Sequence, residues 1–131
     1  MAPDTSDEDN RRPRSVYGVG DEPDARFSLA NERTALAWMR TGLALVAGGV
    51  ALTTLAGVAD LPVFVDIMAA LACLGGGLVA VSALVGWRRV ERAMRLALPL
   101  PAPRILIGVG VGILVLALVF SGYAVFEALA R

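Results

Sequence analysis

The stretch Asn31–Leu45, NERTALAWMRTGLAL, places an amide, a carboxylate and two guanidiniums (Asn31, Glu32, Arg33 and Arg40) at the start of an apolar run. Arginine stays protonated in proteins, so Arg33 and Arg40 suit the holding of an anion or of a partner's carboxylate, not the shuttling of protons. If hydrocarbon begins near Leu36, Arg40 lies about 6 Å deeper at 1.5 Å per residue. Two readings stay open there. The side chain can lean toward the helix N-terminus and snorkel to lipid phosphates, or it can meet protein or an anion inside the membrane. A second basic group, Arg88, Arg89, Arg92 and Arg95, follows a later apolar run in WRRVERAMR. Arg88, Arg92 and Arg95 share one helical face and Val90, Met94 and Leu98 another, the pattern of an interfacial turn or two resting on anionic lipids.

Other chemistries lack their residues. The chain contains no histidine and no lysine, and its 12 basic residues are all arginine. The commonest general base and metal ligand is therefore missing. Cys73 is the single cysteine and lies mid-run, so neither an intrachain disulfide nor a cysteine-based metal site is available. No Ser-Lys or Ser-His arrangement and no pair of acids at one depth suggests catalysis. We expect no enzyme activity, no cofactor, no metal and no nucleic-acid partner. In the N-terminal segment, VYGVG has neither a strand before it nor a Lys-Ser/Thr after it, and DEDN reads as a solvated acidic run.

The elements that would position these residues are membrane helices. Of 131 residues, 56% are hydrophobic, and they gather in three runs, about 35–59, 63–86 and 105–130. Each suffices to cross a hydrocarbon layer of about 30 Å. The expected fold is an all-α integral membrane domain over 26–131 with three spans, preceded by a disordered tail at 1–25. Arg26–Thr34 is expected as an interfacial lead-in, capped by Ser28 or Asn31 with Glu32 in its first turn. Asp60 and Pro62 would start the second span after a tight hairpin, and 87–104 would form a basic loop broken by Pro99, Pro101 and Pro103. The N-terminus is charged, without an early apolar stretch, so the first span is expected to act as an uncleaved anchor.

Arginine asymmetry gives an expected orientation. The N-terminal flank and the 87–104 loop are Arg-rich, whereas 58–62 has none. That places the N-terminus and the basic loop in the cytoplasm and the C-terminus outside. Arg33, Arg40, Ala44, Ala47, Ala51 and Thr54 share one face of the first helix, and this small-residue stripe is the side expected to meet protein. Asp66, Ala70, Cys73, Gly77 and Ala80 form a similar stripe on the second. Asp66 enters from the opposite surface, too far in depth to pair with Arg40, and suits its own helix start. Glu127 can pair with Arg131 at the outer boundary. Ala72, Gly76 and Ala80, and Gly108 with Gly112, have spacings that allow close packing. Thin helices bury little alone, so a homo-oligomer or a small membrane complex is expected, with anionic lipids as further partners.

Phe27–Leu45, FSLANERTALAWMRTGLAL, resembles the signature of the bacterial YidH-like inner-membrane proteins, a family labelled as a domain of unknown function. Asn31, Glu32, Arg33, Thr34, Leu36, Trp38, Arg40 and Thr41 fall in the family's order, and the likeness runs from Arg26 through the three-span layout. Ala35 stands where an aromatic often follows the Glu-Arg-Thr element. The same domain occurs in the small membrane subunit of the yeast vacuolar transporter chaperone complex, where intramembrane basic residues are thought to line a polyphosphate path. The resemblance thus implies an inner-membrane location, with Arg33 and Arg40 as positions that could meet an anionic chain. No polymerase or phosphate-sensing domain is present here, so that role does not transfer whole. The expected function is a small non-enzymatic subunit, structural or regulatory, of a membrane assembly. The alternative is an oligomeric anion conduit with an Arg-lined cytoplasmic vestibule.

Overall fold

The computed structural model of the chain describes residues 10–102 and 104–130, with backbone alone at 104. Four helices follow in order: α1, Arg14–Tyr17; α2, Ala25–Ala59; α3, Val63–Arg95; and α4, Arg104–Ala130. Three of them are long and apolar enough to cross a membrane, and no strand occurs among the described residues. The chain divides into two compact units, one ending at Pro101 and the other running from Ala102.

In the first unit α2 and α3 pack side by side as an antiparallel hairpin. At 35 residues α2 would measure about 52 Å, well beyond a ~30 Å hydrocarbon layer. The interfacial lead-in expected at 26–34 is therefore the same helix as the first span. Asp24 caps it, its carboxylate accepting from the Arg26 amide at 2.9 Å. The caps expected at Ser28 and Asn31 are corrected: both lie inside the helix, and Glu32 falls beyond its first turn. A cap one turn earlier captures the apolar Phe27 and Leu29 in the helix. Asp60 closes α2 in the left-handed region (φ 48°) instead of opening α3, whose N-cap is Pro62 without a side-chain bond. Asp66 lies in the first turn of α3 as expected.

A line of small residues at seven-residue spacing forms the seam: Ala35, Gly42, Gly49 and Ala56 on α2, with Ala69, Gly76 and Ala83 on α3. That repeat keeps two helix faces together over a long crossing. The backbones nearly touch there. A Cβ on Gly42 would sit 2.6 Å from the Gly76 carbonyl oxygen, and one on Gly49 would sit 2.7 Å from that of Ala69. The thiol of Cys73 points into the seam, 3.7 Å from the Val46 carbonyl. The side expected to meet protein is not the side used within the chain. Arg33, Arg40, Ala44, Ala47, Ala51 and Thr54 are all exposed, opposite the seam. Glycine wins because, with no Cβ, it admits closer backbone approach than alanine.

Within the apolar stretches, Thr34, Thr41, Thr53 and Thr54 each return their hydroxyl to the carbonyl four residues earlier. These polar groups are thereby satisfied inside their own helix, as a hydrocarbon surrounding requires. Of the three long helices α4 is the most apolar, with Tyr123 and Glu127 interacting one turn apart. The expected Glu127–Arg131 pair involves a residue outside those described.

Candidate functional site

α3 does continue past its apolar run, but for two and a half turns, to Arg95. Trp87, Glu91 and Arg95 recur at four-residue intervals, so they stack on one face. Ser28 and Asn31, three apart on α2, face them. The Ser28 hydroxyl donates to Glu91 Oε1 at 2.8 Å. The Asn31 amide donates to Glu91 Oε2 at 3.4 Å and to the Trp87 carbonyl at 3.1 Å. Arg95 Nε lies 3.8 Å from Glu91 Oε1. Both carboxylate oxygens are thus engaged, and Glu91 and Arg95 are only 3% and 6% exposed.

The N-terminal segment closes the cluster. Residues 1–9 of the expected tail lie outside the described residues, but residues 14–21 are placed against α3, unlike the disorder expected of them. Val16 is buried at 2% exposure, and α1 packs on α3. Two guanidiniums approach the Tyr17 ring, that of Arg11 at 5.0 Å from its centroid and that of Arg95 at 4.9 Å. Its centroid is 6.4 Å from that of Trp87. Glu22 bridges Arg11 at 2.7 Å and approaches Arg95 at 3.9 Å. The Asp21 amide donates to the Arg95 carbonyl at 3.0 Å. Gly20, with φ 61°, passes so close to that carbonyl that no side chain fits.

The sequence-derived candidates divide accordingly. Asn31 and Arg95 meet in the cluster, so Arg95 is removed from the interfacial group by its buried contact with Glu91 and Tyr17. Glu91 pairs with Arg95. Arg88, Arg89 and Arg92 remain exposed at the surface, as do Glu32, Arg33 and Arg40. Ser28, Tyr17, Gly20 and Glu22 were not singled out as site residues. The signal for the first was its three-residue spacing from Asn31; for the others it was a Val-Tyr pair and a Gly within a polar tail. Trp87 Nε1 and Arg95 Nε are buried without a hydrogen-bond partner among the described residues. No group of three or more potential metal ligands occurs among them.

Chemically the cluster is a clamp. A carboxylate that accepts from a hydroxyl and an amide and faces a guanidinium is held in one orientation. It ties α2 to α3, and Arg95 ties both to the N-terminal segment.

Comparison with known proteins covers this hairpin. Residues 26–93 match the family described as "Domain of unknown function (DUF202)". The inner membrane protein YidH of Escherichia coli K12 is 46% identical over 81 residues, spanning 62% of this chain and 70% of that protein. YidH of Shigella flexneri gives the same figures. An uncharacterized protein of Mycobacterium tuberculosis H37Rv is 44% identical over 82 residues, 60% of this chain and 64% of that protein. No solved structure matches.

Proposed function

The chain belongs to the YidH-like DUF202 family and is a multi-pass inner-membrane protein, and from that premise we propose that it serves as a non-enzymatic structural or regulatory subunit of a membrane assembly. The observation that supports this is the engagement of Glu91. The carboxylate best placed for chemistry is buried and takes donors on both oxygens, so it builds the hairpin and is closed to a substrate. What the hairpin leaves outward is the face carrying Arg33 and Arg40 with Ala44, Ala47 and Ala51. Small residues there admit close approach of another helix, and Arg40 supplies a fixed charge to a partner's carboxylate or to lipid. In this reading the N-terminus and the 87–104 segment face the cytoplasm, by their arginine content.

The test is co-purification from native membranes in mild detergent. Arg40→Leu is expected to lose an oligomer or a neighbouring protein while the hairpin stays folded. An unchanged complex for Arg40→Leu and for Ala47→Leu would count against this reading.

A second reading, anion conduction, is favoured by one observation. Arg33 and Arg40 lie two turns apart on the same exposed face, and among the described residues neither has an ion-pair partner. It requires anion flux in liposomes that Arg40→Ala or Arg40→Glu abolishes; one or two arginines per chain do not by themselves define a pore.

A further inference from the structure

Beside the clamp, the N-terminal segment and α3 border two adjoining shallow, open clefts. One, of ≈ 630 Å³, is lined by Arg12, Pro13, Arg14 and Arg88. The other, of ≈ 230 Å³, is lined by Ser15, Val16, Val85, Arg88, Arg89 and Arg92. Five guanidiniums from two distant parts of the sequence therefore share one concave surface, with Arg88 common to both clefts. We propose that this surface binds a phosphate group, and that the segment 12–16 is what turns a basic stretch of α3 into a defined site.

Three observations carry it. First, the arrangement concentrates like charge, which is unfavourable unless an anion offsets it. Among the described residues no carboxylate lies within ion-pairing distance of Arg12, Arg14, Arg88, Arg89 or Arg92. Three acids of this region are used elsewhere: Glu22 on Arg11 and Arg95, Glu91 on Arg95, Asp24 on the α2 cap.

Second, the segment is pinned independently of those arginines. Burial of Val16, the Asp21–Arg95 backbone bond and the Tyr17 stack hold it, so Arg12 and Arg14 are presented toward α3 by packing.

Third, the level is right for phosphate. Arg88 follows directly on the apolar run that ends at Gly86 and Trp87, where the headgroup layer meets the hydrocarbon. Planar guanidiniums match phosphate oxygens with paired N–H donors. A lipid headgroup and a soluble phosphate share this chemistry.

Two arms separate the sources. The full chain in nanodiscs of phosphatidylcholine with a graded fraction of phosphatidylglycerol is examined by native mass spectrometry for retained lipid. The same chain in pure phosphatidylcholine nanodiscs is titrated with inorganic pyrophosphate by calorimetry. Arg12→Gln/Arg14→Gln is expected to weaken binding about tenfold or more, since each loses a charge-assisted hydrogen bond to phosphate. Arg26→Gln removes a charge at the same end of the hairpin, from an exposed arginine that lines neither cleft, and is expected to change it far less than Arg12→Gln alone. Loss confined to phosphatidylglycerol assigns a lipid headgroup; loss of pyrophosphate binding assigns a soluble phosphate.

Amide exchange at Asp21 reports whether the segment stays seated. If it does not, Arg88→Gln, which lies on α3 itself, must show the same loss. Equal weakening by Arg12→Gln and Arg26→Gln, or no binding in either arm, overturns the proposal.

Discussion

The Ser28 hydroxyl reaches Glu91 Oε1 across 63 residues of sequence, at 2.8 Å. This bond joins the start of α2 to the end of α3, and it fixes where the hairpin's polar end lies. Buried hydrogen-bonded carboxylates cost most when they are removed and leave their partner behind. Glu91→Ala strands Arg95, whose side chain is 4% exposed. We expect a loss of about 3–5 kcal/mol in unfolding by denaturing detergent. Glu91→Gln keeps the shape and one acceptor, and should cost about 1–3 kcal/mol. Equal, near-zero effects of both would show that the clamp does not hold the hairpin.

The seam makes a prediction that depends on position alone. Gly42→Ala would push a methyl to within 2.6 Å of the Gly76 carbonyl oxygen, whereas a Cβ on Gly48 meets nothing within 4 Å. Overpacking costs about 1–3 kcal/mol, so Gly42→Ala should destabilise the hairpin by that order. Gly48→Ala, off the seam, should be neutral or gain up to about 1 kcal/mol from helix propensity. Unfolding of the two variants side by side decides it, and the reverse order would refute the seam.

Gly20 governs the N-terminal cap. Its positive φ and its approach to the Arg95 carbonyl exclude any side chain. Gly20→Ala should release residues 14–21 without unfolding α2 and α3. The readouts are faster amide exchange at Asp21 and a change in emission from Trp87, which Tyr17 now faces at 6.4 Å. Unaltered exchange and emission would mean that the segment is held otherwise.

Much of this was legible in the sequence, and the misses have physical causes. Three apolar runs give three helices, since run length and the bilayer's thickness leave few alternatives. Family membership followed from the order of polar residues between Asn31 and Thr41. The seam was misplaced because a wheel shows which face is small but not which small face is used. Gly42 and Gly49 lie opposite Ala44 and Ala47, and only contact with Gly76 and Ala69 selects between them. The clamp was missed because Ser28 and Asn31 are also good helix caps, a role that Asp24 takes instead. The cap segment was missed because it has so little to bury: one valine at position 16 and the face of Tyr17.

Orientation offers a direct check of the arginine asymmetry. In a Cys73→Ala background, Asp60→Cys should react with a membrane-impermeant maleimide added to intact spheroplasts. Arg89→Cys should react only after the membrane is opened. The opposite pattern would invert the topology and move the clamp to the outer surface.

Cross-linking through the face opposite the seam tests the central claim most directly. In the same cysteine-free background, Ala47→Cys in native membranes, treated with a short bifunctional maleimide, should give a discrete larger species, a dimer or a heteromer. The species should disappear when Arg40→Leu is added, while Val50→Cys, exposed on another side of α2, should give no such species. A chain that remains monomeric at Ala47→Cys under every condition, with Arg40 surrounded by lipid, would contradict the account.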